Sequence, residues 1–273
     1  MSELAWLFPL GVGVGAFGTL VGAGGGFVLV PVLLFLYPDM KASTVTSISL
    51  LVVTANAASG SIAYGIQRRI DVRSGILFAF STLPGAIAGS LVVGYLPRQQ
   101  FDLIFSVVLG AVGIWLILWR PSTAIRSPVQ GWGVVHRSVK DRYGDTYSYS
   151  FRLPLGMVMS LGVGFFSSLL GVGGGFIHVP LMTAVLHFPV HVATATSQFV
   201  LGFMAFEGST VHIANGDIGW DENLSKAGVL AAGAIIGAQA GARISRRMPA
   251  RAITRILAVT LVIVAARLGI TAL

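Results

Sequence analysis

The sequence predicts an all-α polytopic membrane protein built from two inverted repeats, each a glycine-broken re-entrant helical hairpin followed by three transmembrane helices. Three observations carry this. The chain is 55% hydrophobic and only 10% charged over 273 residues, whereas soluble domains carry about 25% charged residues. Apolar stretches of about 20 residues, the length a helix needs to cross the hydrocarbon core, recur along it. One motif occurs twice: Gly22-Ala23-Gly24-Gly25-Gly26-Phe27 with Pro31, and Gly171-Val172-Gly173-Gly174-Gly175-Phe176 with Pro180, offset by 149 positions without a gap. Internal repetition of this kind decides an architecture before any single element does.

The match extends on both sides of the motif. Gly13-Val14-Gly15 aligns with Gly162-Val163-Gly164, Thr46-Ser47 with Thr196-Ser197 after a one-residue shift, and Gly85-Ala86 with Gly237-Ala238. The repeats are therefore expected over 1–119 and 153–273, with a polar cytoplasmic linker at 120–152.

Each repeat opens with an apolar run, 4–37 or 153–188. As one straight helix the first would be roughly 50 Å long against a core of ~30 Å. The triple glycines favour a break, and the short helix after each, of about ten residues, is too short to cross, so the element reads as a re-entrant hairpin. Ordinary spans follow at 43–66, 75–96 and 101–119, then at 193–214, 226–244 and 252–272. The linker, rich in Gly, Ser and Tyr, reads as a solvated loop, with Trp132 and Tyr147 able to touch the membrane surface.

The net charge of +8 would suggest nucleic acid in a soluble protein. Here the basic residues sit in loops, so they orient the chain in the bilayer. If each hairpin returns to its own side, three crossings per unit invert the second copy. Loops 67–74, 120–152 and 243–255 then share one face with fourteen basic residues, against Lys41, Arg98 and Lys226 opposite, which also receives Asp217, Asp221 and Glu222. That places both termini outside the cytoplasm. The N-terminus has no basic n-region or clear cleavage site, so no signal peptide is read. The absence of cysteine excludes disulfides and thiol chemistry.

Broken helices in inverted repeats mark secondary transporters. The N-termini near Phe27 and Phe176 present unpaired N–H groups and a positive dipole end, which suits an anion, and glycine lets a ligand approach the backbone. The candidate substrate-binding residues are Gly24, Gly25, Gly26, Gly173, Gly174 and Gly175, with the hydroxyls and amide of Thr46, Ser47, Thr196, Ser197 and Gln198. Tight helix packing by glycine and helix capping by hydroxyls are the structural alternatives. His178 stands where the first motif has Leu29, as a substrate-contacting or packing group. Glu207 is the one acid in the interior of an apolar span, a proton-coupling candidate or a structural acid bonded to His212 or Asn56. His187 and His191, without a nearby carboxylate, are weak evidence for a metal. A dinucleotide loop is rejected, because no strand precedes the glycines. A membrane-embedded enzyme acting on a small anion is the rival reading, with Ser197 and His178 as an imaginable pair.

The doubled Gly-x-Gly-Gly-Gly-Phe…Val-Pro motif, supported by Thr46-Ser47, Thr196-Ser197, Gly85-Ala86 and Gly237-Ala238, resembles the TauE/SafE sulfite-exporter family of membrane permeases. The resemblance covers nearly the whole chain. It implies transport of a small sulfur-containing anion, sulfite or an organosulfonate such as sulfoacetate, across the inner (plasma) membrane. It implies no cofactor, no metal and no catalysis. The partners expected are that anion and the lipid bilayer, with no nucleic acid and a homodimer as one assembly open to it. The linker is longer than such a family leads one to expect.

Overall fold

The computed structural model describes residues 2–119, 131–218 and 222–272; Arg120, Arg126 and Asp221 lie outside them. Ten helices and one β-hairpin make up the described residues. The first half holds α1 (Ser2–Val21), α2 (Gly26–Leu36), α3 (Ala42–Ile66), α4 (Val72–Val93) and α5 (Arg98–Leu118). The linker holds strands β1 (Val134–Lys140) and β2 (Thr146–Arg152). The second half holds α6 (Leu153–Leu170), α7 (Gly175–Ala184), α8 (Val190–Ala214), α9 (Glu222–Arg247) and α10 (Ala250–Ala272).

Seven helices (α1, α3, α4, α5, α6, α9 and α10) are long and apolar enough to cross a membrane. The first arms of the two broken elements, α1 and α6, are thus of full span length, and only α2 and α7 are short. Helix α8 matches α3 at 25 residues but lies outside that apolar set; it carries Glu207, His191 and His212, where α3 has neither acid nor histidine.

The linker corrects the expectation of a solvated loop. Residues 134–152 form an antiparallel hairpin with Val134 opposite Arg152 and Lys140 opposite Thr146. Alternation explains it: along β2, Tyr149 and Phe151 turn inward while Thr146, Ser148 and Arg152 face solvent. The inward rings pack at a tilt against Phe188, with centroids at 4.4 Å for Tyr149 and 4.8 Å for Phe151. In the turn, Asp141 Oδ1 accepts from the N–H of Tyr143 at 2.8 Å and of Asp145 at 3.0 Å, and Gly144 takes φ +102°. Trp132 is exposed.

The two halves interlock through glycine. Gly233, Gly237 and Gly241 of α9 lie against the carbonyls of Phe8, Val12 and Ala16 of α1. Gly85 and Gly89 of α4 lie against those of Leu161 and Phe165 of α6. Residue numbers rise together, so each pair runs parallel, and only small residues permit such backbone approach. Two further pairs, each with one helix from either half, pack antiparallel. In the α3–α8 pair, Gly60 faces Gln198 and Leu50 faces Gly208; in the α5–α10 pair, Ser106 faces Gly269 and Gly113 faces Val262.

These contacts sort the loops by end. Arg142 N–H donates to Gln67 O at 3.0 Å, Gln67 Nε2 donates to Ala242 O at 3.2 Å, and the Arg246 guanidinium lies 4.3 Å from the Tyr143 ring centre. The described parts of the three basic segments therefore share one end. At the other end Arg98 Nη1 donates to Met40 O at 3.0 Å, and Lys226 Nζ lies 4.3 Å from the Tyr37 ring centre. Since α1 runs parallel to α9 and α2 ends at Tyr37, both outer ends of the α1–α2 element lie where α9 begins.

Candidate functional site

Both glycine breaks form tight turns at the middle of the molecule. Gly24 and Gly25 take φ +74° and +85°, and Gly173 and Gly174 take +79° and +66°, left-handed values that cost little only for glycine. Gly25 and Gly174 cap the N-termini of α2 and α7. The turns abut. A Cβ on Gly26 would lie 2.6 Å from Val172 O, and one on Gly175 would lie 2.5 Å from Ala23 Cα. Side chains on Gly24 or Gly173 would strike Leu201 and Val53. The close approach these glycines serve is thus to the opposing backbone and to the α3–α8 pair.

Donors are left over at this contact. Residues 22–27 and 171–176 are buried. Among the described residues, the backbone N–H groups of Gly25, Gly26 and Phe27, and of Gly173, Gly174 and Phe176, have no acceptor. The first N–H groups of any helix lack intrahelical partners. Buried ones without another acceptor are rare, and a helix N-terminus that presents them attracts negative charge.

The two turns differ in what surrounds them. Beside the first, an amide network forms: Gln198 Nε2 donates to Asn56 Oδ1 at 2.8 Å, Thr19 Oγ1 to the same oxygen at 3.0 Å, and Asn56 Nδ2 to Gly15 O at 2.9 Å. Tyr64 OH donates to Thr19 O at 2.8 Å, and Ser197 Oγ to Gly22 O at 3.0 Å. Beside the second turn, hydroxyls stand open. Thr46 packs on Gly171, Ser167 on Gly174, and Ser90 and Ser168 both on Gly208. The side-chain oxygens of all four are buried without a partner.

The expected site residues therefore divide. The glycines, Thr46, Ser197 and Gln198 gather at the turns, and Gln198 Oε1 is itself unpartnered. Ser47 Oγ instead donates to Ser43 O at 2.7 Å within its own helix. Thr196 Oγ1 accepts the Asp71 N–H at 3.0 Å, under the loop between α3 and α4. The His178 ring turns to Ser160 Oγ at 3.3 Å and to the edge of Phe78, so the pair imagined with Ser197 is not formed. Glu207 bonds neither expected partner: His212 Nδ1 is 2.7 Å from Asp217 Oδ2, Asn56 belongs to the amide network, and Glu207 Oε2 is buried without a partner. Thr19, Tyr64, Ser90, Ser167 and Ser168 were not anticipated, and Asn56 was anticipated only as a partner of Glu207. Asn56 carried a signal, as an amide inside an apolar span.

Comparison with known proteins fits this arrangement. The family model described as "Sulfite exporter TauE/SafE" matches residues 7–268. A probable membrane transporter protein of Bacillus subtilis, YunE, is 31% identical over 268 residues, covering 96% of each chain. The probable membrane transporter protein MJ0441 of Methanocaldococcus jannaschii is 25% identical over 233 residues, 81% of this chain and 78% of its own. A probable membrane transporter protein of Xylella fastidiosa is 26% identical over 183 residues, 67% of this chain and 64% of its own. No solved structure matches significantly. With a family match from end to end, and long apolar helices around two buried glycine turns, the chain belongs to the TauE/SafE sulfite-exporter family of membrane transporters.

Proposed function

We propose that the protein is a secondary transporter that moves small sulfur-containing anions, sulfite or organosulfonates such as sulfoacetate, across the inner membrane by alternating access. The carrying observation is the meeting of two buried helix N-termini whose N–H groups at Gly25, Gly26, Phe27, Gly173, Gly174 and Phe176 have no acceptor. An oxyanion would take several of these donors at once, without a full positive charge in the membrane. The open hydroxyls of Thr46, Ser167 and Ser168 favour the second turn as its seat, with the amide network as the wall on the other side.

In this reading, 1–119 and 153–273 are two inverted repeats, joined by a cytoplasmic linker at 120–152. The antiparallel packing of α3 on α8 and of α5 on α10 supports inversion, since a two-fold axis in the membrane plane relates like helices that way. Gathering of the basic loops at one end supports a cytoplasmic orientation for that end and an external one for both termini.

The test is flux into liposomes holding the purified protein, with sulfite, sulfoacetate and sulfate as labelled substrates. Accumulation of unchanged sulfite or sulfoacetate is the expected result. Appearance of a chemically altered product would give the reading to a membrane enzyme, and uptake of sulfate alone would remove the sulfite and sulfonate assignment.

A further inference from the structure

The basic end of the molecule carries a concavity lined by none of the residues at the glycine turns. It lies between the α3–α4 loop and strand β1 and encloses about 630 Å³, within the range of roughly 300–1,000 Å³ of small-molecule sites. Its lining includes Arg68, Arg73, His136, Arg137 and Lys140, with Asp71 the one acid. Asp71 does not offset the cations toward a ligand. It is buried and already accepts from Ser74 and, at 2.8 Å, from Tyr149 OH, with Arg137 Nε at 3.5 Å. Arg68, Arg73 and Lys140 are exposed, and among the described residues none of them has an ion pair.

The backbone adds a second observation. Arg68 sits just past the end of α3 at φ +55°, where its N–H bonds Gly65 O at 2.9 Å and the next N–H bonds Tyr64 O at 3.2 Å. This is the helix-ending turn that glycine normally occupies, because a side chain there is strained. The chain tolerates that strain at a position that sets a cation on the rim of the groove.

We infer that this groove is a second anion site, for a ligand carrying two or more phosphate groups or a phospholipid headgroup, whose shared chemistry is phosphate. Arginine and lysine from two separate elements converge on it, as phosphate recognition requires. The volume exceeds what one small inorganic anion fills, and the hairpin that forms one wall is part of the unexpectedly long linker.

The experiment uses the full-length protein and reads its melting temperature, since a ligand bound only to the folded state raises it. The soluble arm adds inorganic pyrophosphate in detergent at constant ionic strength. The lipid arm compares nanodiscs of phosphatidylcholine with nanodiscs also containing phosphatidylglycerol. Each arm compares the parent with an Arg68→Gly, Arg73→Ser, Lys140→Ser variant and with an Arg243→Ser, Arg251→Ser, Arg255→Ser variant that removes equal charge elsewhere at the same end. Arg68→Gly relieves strain, so the groove variant is expected to fold. The expected result is stabilisation of the parent and the charge-matched control, with apparent affinity at least tenfold weaker in the groove variant. Stabilisation by pyrophosphate identifies a soluble ligand, and stabilisation by phosphatidylglycerol alone identifies a headgroup. Equal loss in both variants, or no stabilisation of the parent in either arm, would overturn the site. None of these readouts depends on the transported substrate.

Discussion

The backbone N–H of Asp71 donates to Thr196 Oγ1 at 3.0 Å, so a hydroxyl of the second half holds the loop that joins two helices of the first. Its repeat partner Thr46 packs on Gly171 with its oxygen unpartnered. The same motif position thus bonds backbone in one copy and leaves its hydroxyl unpartnered in the other. Thr196→Val should leave a buried N–H unpaired and lower stability by about 1–3 kcal/mol, with little effect on affinity. Thr46→Val should cost little stability but weaken anion binding by roughly one to two decades, the value of one hydrogen bond to a charged group. Thermal unfolding and substrate titration on both variants check the contrast. The reverse pattern would move the anion to the Thr196 side.

The glycines separate by what a methyl group would meet. At Gly26 and Gly175 it would enter the opposing turn, and at Gly13 and Gly162 it meets nothing within 4 Å. Gly26→Ala and Gly175→Ala should abolish transport and sharply reduce the folded yield. Gly13→Ala and Gly162→Ala, at helical positions, should be neutral or stabilising by about 0.5–1 kcal/mol. Size-exclusion profiles and melting temperatures of the four variants decide whether the turns need direct backbone contact.

Tyr149 ties the linker hairpin to Asp71, and burial, with that carboxylate beside it, pushes the phenol well above its ordinary value of 10.0. The folded state therefore holds the proton more tightly than the unfolded one. The contribution is fully present below about pH 10 and is lost as the unfolded tyrosine ionises above it. Tyr149→Phe should lower stability near pH 8, by about 1.5–3 kcal/mol for a hydrogen bond to a charged acceptor. It should also flatten the fall in melting temperature between pH 9 and pH 11. Parallel pH profiles for parent and variant measure both effects, and identical slopes would show that Tyr149 is not the titrating group.

Much of this architecture could be read from composition and repetition, and the reasons show where the reading stopped. Spans such as 43–66 and 252–272 agree with α3 and α10 within two residues at each end, because length and apolarity alone fix a crossing. The hairpin was legible in Tyr147-Ser148-Tyr149-Ser150-Phe151, a period of two, but the linker's polarity masked it. Individual hydroxyl partners were not legible. Thr196 and Thr46 look alike in sequence, and their fates diverge only because Asp71 caps α4 beside one of them. The amide network needed Asn56 and Gln198 to face each other across antiparallel helices, which only the packing of Gly60 on Gln198 supplies.

Orientation is open to labelling, since the chain has no cysteine of its own. Arg69 is buried at 2% exposure, so a reporter there would stay silent, and the exposed Arg68 is the better position on that loop. Arg68→Cys and Arg247→Cys should resist an impermeant thiol reagent added to intact cells and react after lysis. Lys41→Cys and Asn215→Cys, exposed at the other end, should react from outside. Labelling of Arg247→Cys from outside while Lys41→Cys stays protected would reverse the orientation, and outside labelling of both would refute the sorting of loops by end.

Glu207 is the remaining group whose chemistry bears on coupling. It lies on α8 beside Gly208, whose neighbours are Ser90 and Ser168 with their unpartnered oxygens. Its own Oε2 is buried without a partner. An acid with a structural task would be bonded, yet Glu207 bonds neither candidate partner: Asn56 belongs to the amide network and His212 Nδ1 pairs with Asp217, while His212 Nε2 is left without a partner. A carboxyl group within a membrane-spanning segment, with an oxygen left unpartnered, is suited to take up and release a proton. Glu207→Gln keeps the shape and removes the titration. Uphill uptake driven by a pH gradient should fall at least tenfold in this variant, while exchange of labelled for unlabelled substrate continues at a rate near that of the parent. Loss of both activities together would make Glu207 part of the binding site. Retention of both would leave the proton, if one is carried, to a different group.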